Sequence, residues 1–408
     1  MEKYSELVEI KGHIIDSLTF PKILDEILDH GGNYQTEEIS IGKTKKDQSY
    51  ARIKIFAPSK TILENILARI LKLGAMPIEE TEAKLKDAEQ DGIFPDDFHI
   101  TTNLSTKVRI SGKWLTVQNI CMDSGIAVTP DLKKAYCIKM NDLKKGDKIV
   151  VGYEGVKVSP ETRVKHRGIF EFMGSSISPE KSKWLMIKNL AEGMKNIKNK
   201  REGKILFVCG PAVIHTGARK HLEMLINEGY VDVLFSGNGF ATHDIEASLF
   251  GTSLGVSIKE GIQTKKGHEH HIRTINTIRK AGGIKQAVKQ GILREGILHS
   301  CIKNNVDLVL TGSIRDDGPL PEVITDMKEA QTAMREKIKG VVLSIMIASM
   351  LHSIAVGNIL PASVTTVCVD MNPEVVTKLS DRGSFHAIGL VTDAELFLRE
   401  LTNYLFQM

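Results

Sequence analysis

Two adjacent carboxylates and an arginine follow the apolar run that begins at Asp307. Residues 312–319 are Gly-Ser-Ile-Arg-Asp-Asp-Gly-Pro, so Arg315 directly precedes Asp316 and Asp317. One carboxylate of such a pair can hold a substrate ammonium while the other accepts a proton. The alternative is a structural ion pair between Arg315 and one of the aspartates. We predict that this segment belongs to an active site.

A second polar segment, Gly237-Asn238-Gly239, also follows an apolar run. Two glycines let backbone N–H groups approach a diphosphate, and the Asn238 side chain can bind a ribose or phosphate oxygen. A plain Asn-Gly turn is the alternative. Its place at the end of a predicted buried strand favours nucleotide binding by Asn238 and Gly239. Thr242 or Asp244 is expected to cap the next helix.

Asp370 ends the apolar run TTVCVD. In nucleotide-binding sheets an acidic residue at this point accepts hydrogen bonds from the adenosine ribose and disfavours a 2′-phosphate. The residue therefore favours NAD over NADP as the cofactor. The alternative is that Asp370 only caps the turn that follows.

Residues 340–352, GVVLSIMIASMLH, are predicted to form an apolar helix that ends in Ser-Met-Leu-His. The small side chain of Ser349 and the imidazole of His352 suit the lining of a nicotinamide or adenine pocket. A histidine satisfied within the core is the alternative interpretation of His352.

Three histidines, an arginine and an asparagine lie within residues 268–276. His-x-x-His on a helix is one pattern of zinc sites, but no third ligand stands at a matching spacing, so no metal is predicted. Substrate recognition is preferred, because Arg273 can bind a carboxylate with two hydrogen bonds and a histidine can transfer protons near neutral pH. The residues concerned are His268, His270, His271, Arg273 and Asn276.

These segments share one location in the predicted fold. Apolar runs starting at Ile205, Val231, Asp307 and Thr365 suit strands buried on both faces of a parallel sheet, which binds ligands at the carboxyl ends of its strands. The Gly-x-Gly-x-x-Gly fingerprint is absent from the first strand-to-helix loop, CGPAVIHTG. The fold class is therefore α/β, with a Rossmann-like parallel sheet in residues 176–408.

Two smaller domains are predicted ahead of this sheet. Residues 1–90 carry a β-α-β-β-α pattern typical of a ferredoxin-like or ACT-type α+β module, which is more often a packing or oligomerisation unit than an effector site. Residues 91–175 carry short alternating strands separated by turn signals, as in a small β-rich domain.

Composition excludes several classes of protein. The chain has 408 residues, 42% of them hydrophobic and 25% charged, with a net charge of +4, so neither disorder nor a nucleic-acid partner is expected. No signal peptide or stretch long enough to span a bilayer is evident, so no membrane association is expected. Five widely spaced cysteines indicate reduced thiols, and the expected compartment is the cytoplasm.

The motifs CGPAVIHTG, FSGNGFATHDIE, GHEHHIRTINTIR, GSIRDDGPLPEV and VDMNPEVVTKLSDRG resemble the family named for the conserved region of lysine-ketoglutarate reductase/saccharopine dehydrogenase. The similarity covers the whole chain. The archaeal members of this family, and the C-terminal parts of cyanobacterial arginine-degrading enzymes, are NAD-dependent ornithine cyclodeaminases. The resemblance implies an NAD domain like that of deoxyhypusine synthase. Nothing resembles the guanidine-modifying domain of the cyanobacterial enzymes, so arginine hydrolysis is not expected.

The resemblance also implies a reaction. NAD takes hydride from the α-carbon of L-ornithine, the δ-amine attacks the resulting imine, ammonia leaves, and the cyclic imine takes the hydride back to become L-proline. The expected catalytic residues are Asp316 or Asp317 for proton transfer, with Arg273 or Arg315 as carboxylate anchor. The expected cofactor-binding residues are Asn238, Gly239, Asp317, Ser349, Met350, Leu351, His352, Asp370 and Asp393.

Two other functions remain open on sequence alone. One is an NAD-dependent amino-acid dehydrogenase acting on a lysine-pathway imine, which would accumulate NADH. The other is a non-catalytic NAD or amino-acid sensor. The amphipathic N-terminal module favours a homodimer or homotetramer in each case.

Overall fold

The computed structural model describes residues 4–15, 18–43, 47–77, 81–159, 183–257, 269–316, 318–382 and 387–406. The chain divides into two compact units, residues 1–165 with 361–363, and residues 166–360 with 364–408. Within the described ranges, every helix is too short or too polar to span a bilayer.

The first unit opens with a four-stranded antiparallel sheet covered by two helices. Ile23 and Ile27 of the first helix and Ile66 and Ile70 of the second are fully buried, which matches their helical spacing in the sequence. The strand order β2-β3-β1-β4 is ferredoxin-like, as predicted. The elements are β1 (Tyr4–Gly12), α1 (Thr19–Asp29), β2 (Asn33–Ser40), β3 (Ser49–Ala57), α2 (Lys60–Ile70) and β4 (Ala75–Pro77).

The same unit continues with a seven-stranded, mostly antiparallel sheet, which confirms the predicted β-rich character of this part of the chain. The strands are short and their order is β11-β6-β7-β9-β8-β10-β5. Their bounds are β5 (Lys84–Asp87), β6 (Thr106–Ile110), β7 (Lys113–Gln118), β8 (Gly125–Val128), β9 (Ala135–Ile138), β10 (Lys148–Val151) and β11 (Val156–Val158).

The second unit is built on a parallel sheet of seven strands with helices on both faces, which confirms the predicted α/β class. The order is β17-β16-β13-β12-β18-β19-β20, and every pairing is parallel. The strands are β12 (Lys204–Cys209), β13 (Val233–Gly237), β16 (Asp307–Thr311), β17 (Val323–Ile324), β18 (Val341–Ile347), β19 (Thr365–Asp370) and β20 (Ala387–Val391); a separate hairpin comprises β14 (Thr252–Ser253) and β15 (Val256–Ser257).

The helices of this unit connect successive strands and leave one apolar core on each face of the sheet. They are α3 (Lys183–Lys200), α4 (Ala212–His215), α5 (Arg219–Asn227), α6 (Asn238–Phe250), α7 (His270–Ala281), α8 (Ile284–Lys289), α9 (Ile297–Lys303), α10 (Met327–Lys337), α11 (Met350–Ile359), α12 (Pro373–Arg382) and α13 (Ala394–Phe406).

The helix predicted over residues 340–352 is wrong. Val341–Ile347 forms β18, a central strand paired with β12 on one side and β19 on the other. A continuous apolar run looks the same in a buried strand and in a buried helix, so periodicity could not separate them. The helix begins later, at Met350. Ser349 therefore lies at the carboxyl end of a strand rather than inside a helix.

The predicted capping role of Thr242 or Asp244 is also wrong. Helix α6 starts at Asn238, immediately after β13, so both residues lie inside it. The fully buried carboxylate of Asp244 instead accepts the N–H groups of Ile297 and Leu298 at the start of α9, at 3.0 and 2.8 Å. The residue caps a helix distant in sequence.

Candidate active site

The carboxyl ends of the parallel strands bring most of the predicted site residues to one edge of the sheet. Asn238 and Gly239 follow β13, Asp316 follows β16, and His352 follows β18. Since crevices at this edge are where open α/β sheets bind ligands, the structure gives these residues a common location. Asp317 lies outside the described residues.

Asn238 joins two of these strand ends. Its Nδ2 donates a hydrogen bond to Oδ1 of Asp316 at 3.1 Å, and its Oδ1 accepts the N–H of Leu320 at 3.1 Å. Thr242, one turn later, donates to the same Oδ1 at 3.4 Å. Asn238 is 4% exposed, and its side-chain amide is hydrogen-bonded to Asp316, Leu320 and Thr242. Its evident role is to orient Asp316.

Asp316 is a half-buried carboxylate with a defined orientation. Its second oxygen, Oδ2, accepts the backbone N–H of Ser313 at 2.7 Å, so the loop after β16 folds around the carboxylate. Burial lowers the pKa of His271 and of His352, which lie on different helices, and the negative charge of Asp316 opposes both shifts. Arg315, beside Asp316 in the sequence, is exposed.

His352 lies in the first turn of α11, where its Nε2 is 3.0 Å from Oγ1 of Thr311. Burial lowers its pKa below 6.5, against the opposing charge of Asp316. A Cβ atom on Gly237 would lie 2.9 Å from Cε1 of the imidazole. The glycine at the end of β13 is thus required by the close approach of His352.

Two helix N-termini at this edge suit an anionic ligand. Helix α6 begins after Gly237 and helix α11 after Ser349, and neither end has a side-chain cap. The first backbone N–H groups of such helices have no intrahelical acceptor and carry partial positive charge. Next to Ser349, Met350 and Leu351 are 47% and 73% exposed. These ends fit a cofactor diphosphate.

The two remaining acidic candidates each have a local partner. Oδ1 of Asp370 accepts the N–H of Asn372 at 2.9 Å, and Oδ1 of Asp393 accepts the N–H of Glu395 at 2.8 Å at the start of α13. A carboxylate accepts more than one hydrogen bond, so the capping role of Asp370 leaves capacity for ribose hydroxyls.

Arg273 is not brought into contact with Asp316. It lies on α7, its side chain is 57% exposed, and its guanidinium pairs with Glu269 one turn earlier. An exposed pair of this kind is a common feature of helix surfaces. A role as substrate anchor stays a prediction.

His243 and Glu246, which have no predicted role from the sequence, form a cluster with His271 across two neighbouring helices. His243 and Glu246 of α6 lie beside His271 of α7, with one ligand atom of each residue within 4.8 Å of the others. The ring of His215 is 4.9 Å from that of His243. The spacing His-x-x-Glu in HDIE, which places both side chains on one helix face, was the signal available in the sequence.

Comparison with known proteins gives matches along most of the chain. The family model described as arginine dihydrolase ArgZ-like, C-terminal, Rossmann fold matches residues 188–401. A model of the first region of the same C-terminal part matches residues 105–187, and the LOR/SDH bifunctional enzyme conserved region matches residues 5–104.

Individual relatives support the same grouping. A protein of Methanopyrus kandleri named ornithine cyclodeaminase is 49% identical over 406 residues, which cover 99% of this chain and 98% of that protein. The apo crystal structure of the cyanobacterial arginine dihydrolase ArgZ matches with a TM-score of 0.85 and 37% identity. The ternary complex of AgrE with ornithine and NAD⁺ matches with a TM-score of 0.54 and 42% identity. The matches cover 99% of this chain and 58% of each structure's chain.

Proposed function

We propose a function for this chain from one premise: the chain belongs to the family described as arginine dihydrolase ArgZ-like, C-terminal, Rossmann fold. The protein is an ornithine cyclodeaminase that uses NAD and converts L-ornithine into L-proline and ammonia. Relatives of nearly full length carry the name ornithine cyclodeaminase, and the related AgrE binds ornithine and NAD⁺. The observation on this chain that carries the proposal is the Asn238–Asp316 pair between two helix N-termini at the carboxyl edge of the parallel sheet.

The edge described above fits a bound dinucleotide. The uncapped starts of α6 and α11, with Gly239 and Ser349, would hold the diphosphate, and Asp370 would accept hydrogen bonds from a ribose. Gly210 supports this close packing, because a Cβ there would lie 1.8 Å from the carbonyl oxygen of Ala348. The remaining proposed cofactor residues are Asn238, Asp317, Met350, Leu351, His352 and Asp393. When bound, NAD supplies an acceptor for the hydride of the substrate α-carbon and returns it to the cyclic imine.

The residues of the chain would hold the substrate and move its protons. Asp316 accepts a proton from the α-ammonium, because a free amine is needed before the α-carbon gives up hydride. Asn238 keeps the Asp316 carboxylate in position. Arg315 or Arg273 remains the proposed anchor for the substrate carboxylate, and Asp317 remains a second candidate for proton transfer.

Further aspects are proposals of the same kind. The five cysteines are widely spaced in the sequence, which supports a reducing compartment, for which we propose the cytoplasm. We also propose a homodimer or homotetramer. The division into domains 1–90, 91–175 and 176–408 is supported by three successive family matches, although these end at different residues.

The proposed function is tested by incubating purified protein with L-ornithine and substoichiometric NAD⁺. Proline and ammonia should form in equal amounts beyond the quantity of NAD⁺, without accumulation of NADH. Asp316→Asn should lower kcat by about 100-fold or more, as expected for loss of a general base. Asp326→Asn is the matched control, since Asp326 only caps α10, and it should retain activity. Stoichiometric NADH without proline would favour a dehydrogenase and contradict the proposal.

A further inference from the structure

A cluster of three histidines and one glutamate lies on the helices that follow β12 and β13; His243 and Glu246 are buried, His271 is half-buried and His215 is exposed. His215 ends α4, His243 and Glu246 lie on α6, and His271 lies in the first turn of α7. The ring centroids of His243 and His271 are 5.1 Å apart. His243 lies on the same helix as Asn238, whose side chain binds the proposed base Asp316, so the cluster and the base are held by one element.

Glu246 supplies a negative charge to this cluster. Its residue is completely buried, and its Oε1 accepts hydrogen bonds from Thr252 Oγ1 at 2.8 Å and from the N–H of Gly255 at 2.9 Å. Burial by itself raises the pKa of Glu246, but the hydrogen bonds from His243 and these groups outweigh burial, and the pKa lies below 4.5. Among the described residues, the one ion-pair partner of Glu246 is His243.

The contact with Glu246 fixes the proton of His243. Nδ1 of the imidazole is 3.2 Å from Oε2 of Glu246, and an ionised carboxylate can only accept a hydrogen bond. Nδ1 therefore carries the proton, and Nε2 of a neutral His243 is left with a lone pair. A histidine oriented by a carboxylate in this way is a proton acceptor at its other nitrogen.

The other two imidazoles add acceptors rather than charge. Burial, followed by the nearby His243, lowers the pKa values of His215 and His271 below 6.5, so both are neutral at neutral pH. Nδ1 of His271 is buried without a hydrogen-bond partner in the described part of the chain. Nδ1 of His271 and Nε2 of His243 can therefore accept N–H donors from an ammonium group.

We propose that this cluster is the subsite for the side-chain ammonium of the substrate, with His243 as its proton acceptor and Glu246 as the residue that positions His243. The inference rests on the proposed function, because cyclisation requires that the δ-nitrogen of ornithine be a free amine. Asp316 serves the α-nitrogen at the other end of the substrate. The two proton acceptors would therefore select a diamino acid.

The protons balance over the reaction. The δ-nitrogen starts as an ammonium with three N–H bonds, gives one proton to Nε2 of His243, and uses its lone pair to form the bond to the α-carbon. A second proton passes from the δ-nitrogen to the α-nitrogen, the bond between the α-carbon and the α-nitrogen breaks, and ammonia leaves a cyclic iminium with one N–H bond. The hydride returns to the α-carbon of this iminium, and the protons held by His243 and Asp316 end on ammonia and on the proline nitrogen.

A divalent cation is the competing occupant of the cluster. Two histidines and a carboxylate are a common ligand set, and their ligand atoms are close enough together. Binding of a metal by Nδ1 of His243 would replace its hydrogen bond to Glu246. The ammonium uses the same groups without disrupting that hydrogen bond, which is why we favour it.

The test compares L-ornithine with L-norvaline, which has the same carbon chain without the δ-amine. Dissociation constants are measured by calorimetry on the NADH-loaded protein, which cannot take hydride from ornithine, for the wild type, for Glu246→Gln, and for Glu295→Gln as the control with an exposed carboxylate. Glu246→Gln should weaken ornithine binding by about 10-fold or more, as for loss of a charge-assisted hydrogen bond, with norvaline binding changed less than twofold. Equal effects on both ligands, or none on either, would overturn the subsite. If Glu246→Gln does not fold, the dissociation constants of ornithine and norvaline are measured on His271→Asn, and their ratio tests the subsite in the same way.

Two further results separate the competing explanations. A metal present in equimolar amount in dialysed wild type and lost from Glu246→Gln would overturn the ammonium assignment. If the wild type forms no proline from ornithine, the proposed function fails and the subsite falls with it. If the wild type is active and the ornithine-to-norvaline ratio does not change in Glu246→Gln, only the subsite fails.

Discussion

Nδ2 of Asn238 donates a hydrogen bond to Oδ1 of Asp316, which links the first turn of α6 to the loop after β16. The same side chain accepts the N–H of Leu320, so one amide binds two points of that loop. The Asn-Gly pair that indicated a cofactor loop in the sequence therefore acts first as a support for the proposed base.

Replacement of Asn238 by alanine should lower kcat more than it weakens substrate binding. The change removes the donor to Asp316 and leaves the N–H of Leu320 without its acceptor. We expect kcat to fall by about 10-fold or more, because a hydrogen bond to a charged group is lost. Steady-state kinetics with Asn304→Ala as control, whose amide pairs with Asn227 at the surface, measures the difference. Equal kcat values for the two variants would contradict the positioning role.

Gly237→Ala should displace His352 and weaken NAD⁺ binding. The added Cβ would lie 2.9 Å from the imidazole Cε1, whereas a Cβ on Gly357, in the same helix as His352, meets nothing within 4 Å. Backbone strain is not the cause, since Gly237 has φ −111°. Calorimetric titration with NAD⁺ should show weaker binding for Gly237→Ala and wild-type binding for Gly357→Ala. Unchanged affinity in Gly237→Ala would argue against a cofactor beside His352.

Asp244→Asn should destabilise the fold. The buried carboxylate binds two N–H groups of α9 and also accepts from Nε of Arg219 at 2.7 Å, and the variant leaves that guanidinium with only the exposed Glu295 carboxylate, 3.9 Å away. Loss of one partner of a buried ion pair costs about 3 kcal/mol. Asp326→Asn, at an exposed helix start, should cost about 1 kcal/mol or less. Urea unfolding of both variants provides the comparison, and similar midpoints would refute the buried capping role.

The free energy of unfolding should fall between pH 7 and pH 5. Burial lowers the pKa values of His215, His271 and His352 below 6.5 in the folded protein, so the unfolded chain binds protons at a higher pH. Stability is therefore lost as the pH falls through and below 6.5. Glu246, whose pKa is lowered from 4.5, stabilises the fold above that pH and loses this effect only at lower pH. Urea titrations at the two pH values measure the change, and a higher stability at pH 5 would contradict it.

The sequence was informative wherever a buried strand ended in small or polar residues. The runs ending near Gly237 and Asp370 were predicted as parallel strands, because strands covered on both faces need apolar residues at every position. It was misleading at Val341–Ile347, where the same property allowed a helix. The central place of β18 depends on pairing with β12 and β19, which no local pattern encodes.

The histidine cluster shows why spacing is a weak guide to sites assembled from several helices. In the sequence His271 is grouped with His268 and His270, whereas its partners in space, His243 and Glu246, come from the preceding helix of the unit. These residues meet because two helices pack together, and no fixed spacing in the sequence relates them. The one local signal of the cluster in the sequence is HDIE, which places His243 and Glu246 on one helix face.

The central claim is that the substrate's own hydride is removed and restored within one turnover. L-Ornithine deuterated at the α-carbon, incubated with purified protein and a small fraction of one equivalent of NAD⁺, tests it most directly. We predict proline that keeps deuterium at its α-carbon, with one ammonia per proline and no accumulated NADH. Proline without deuterium, or deuterated NADH in place of proline, would contradict the account.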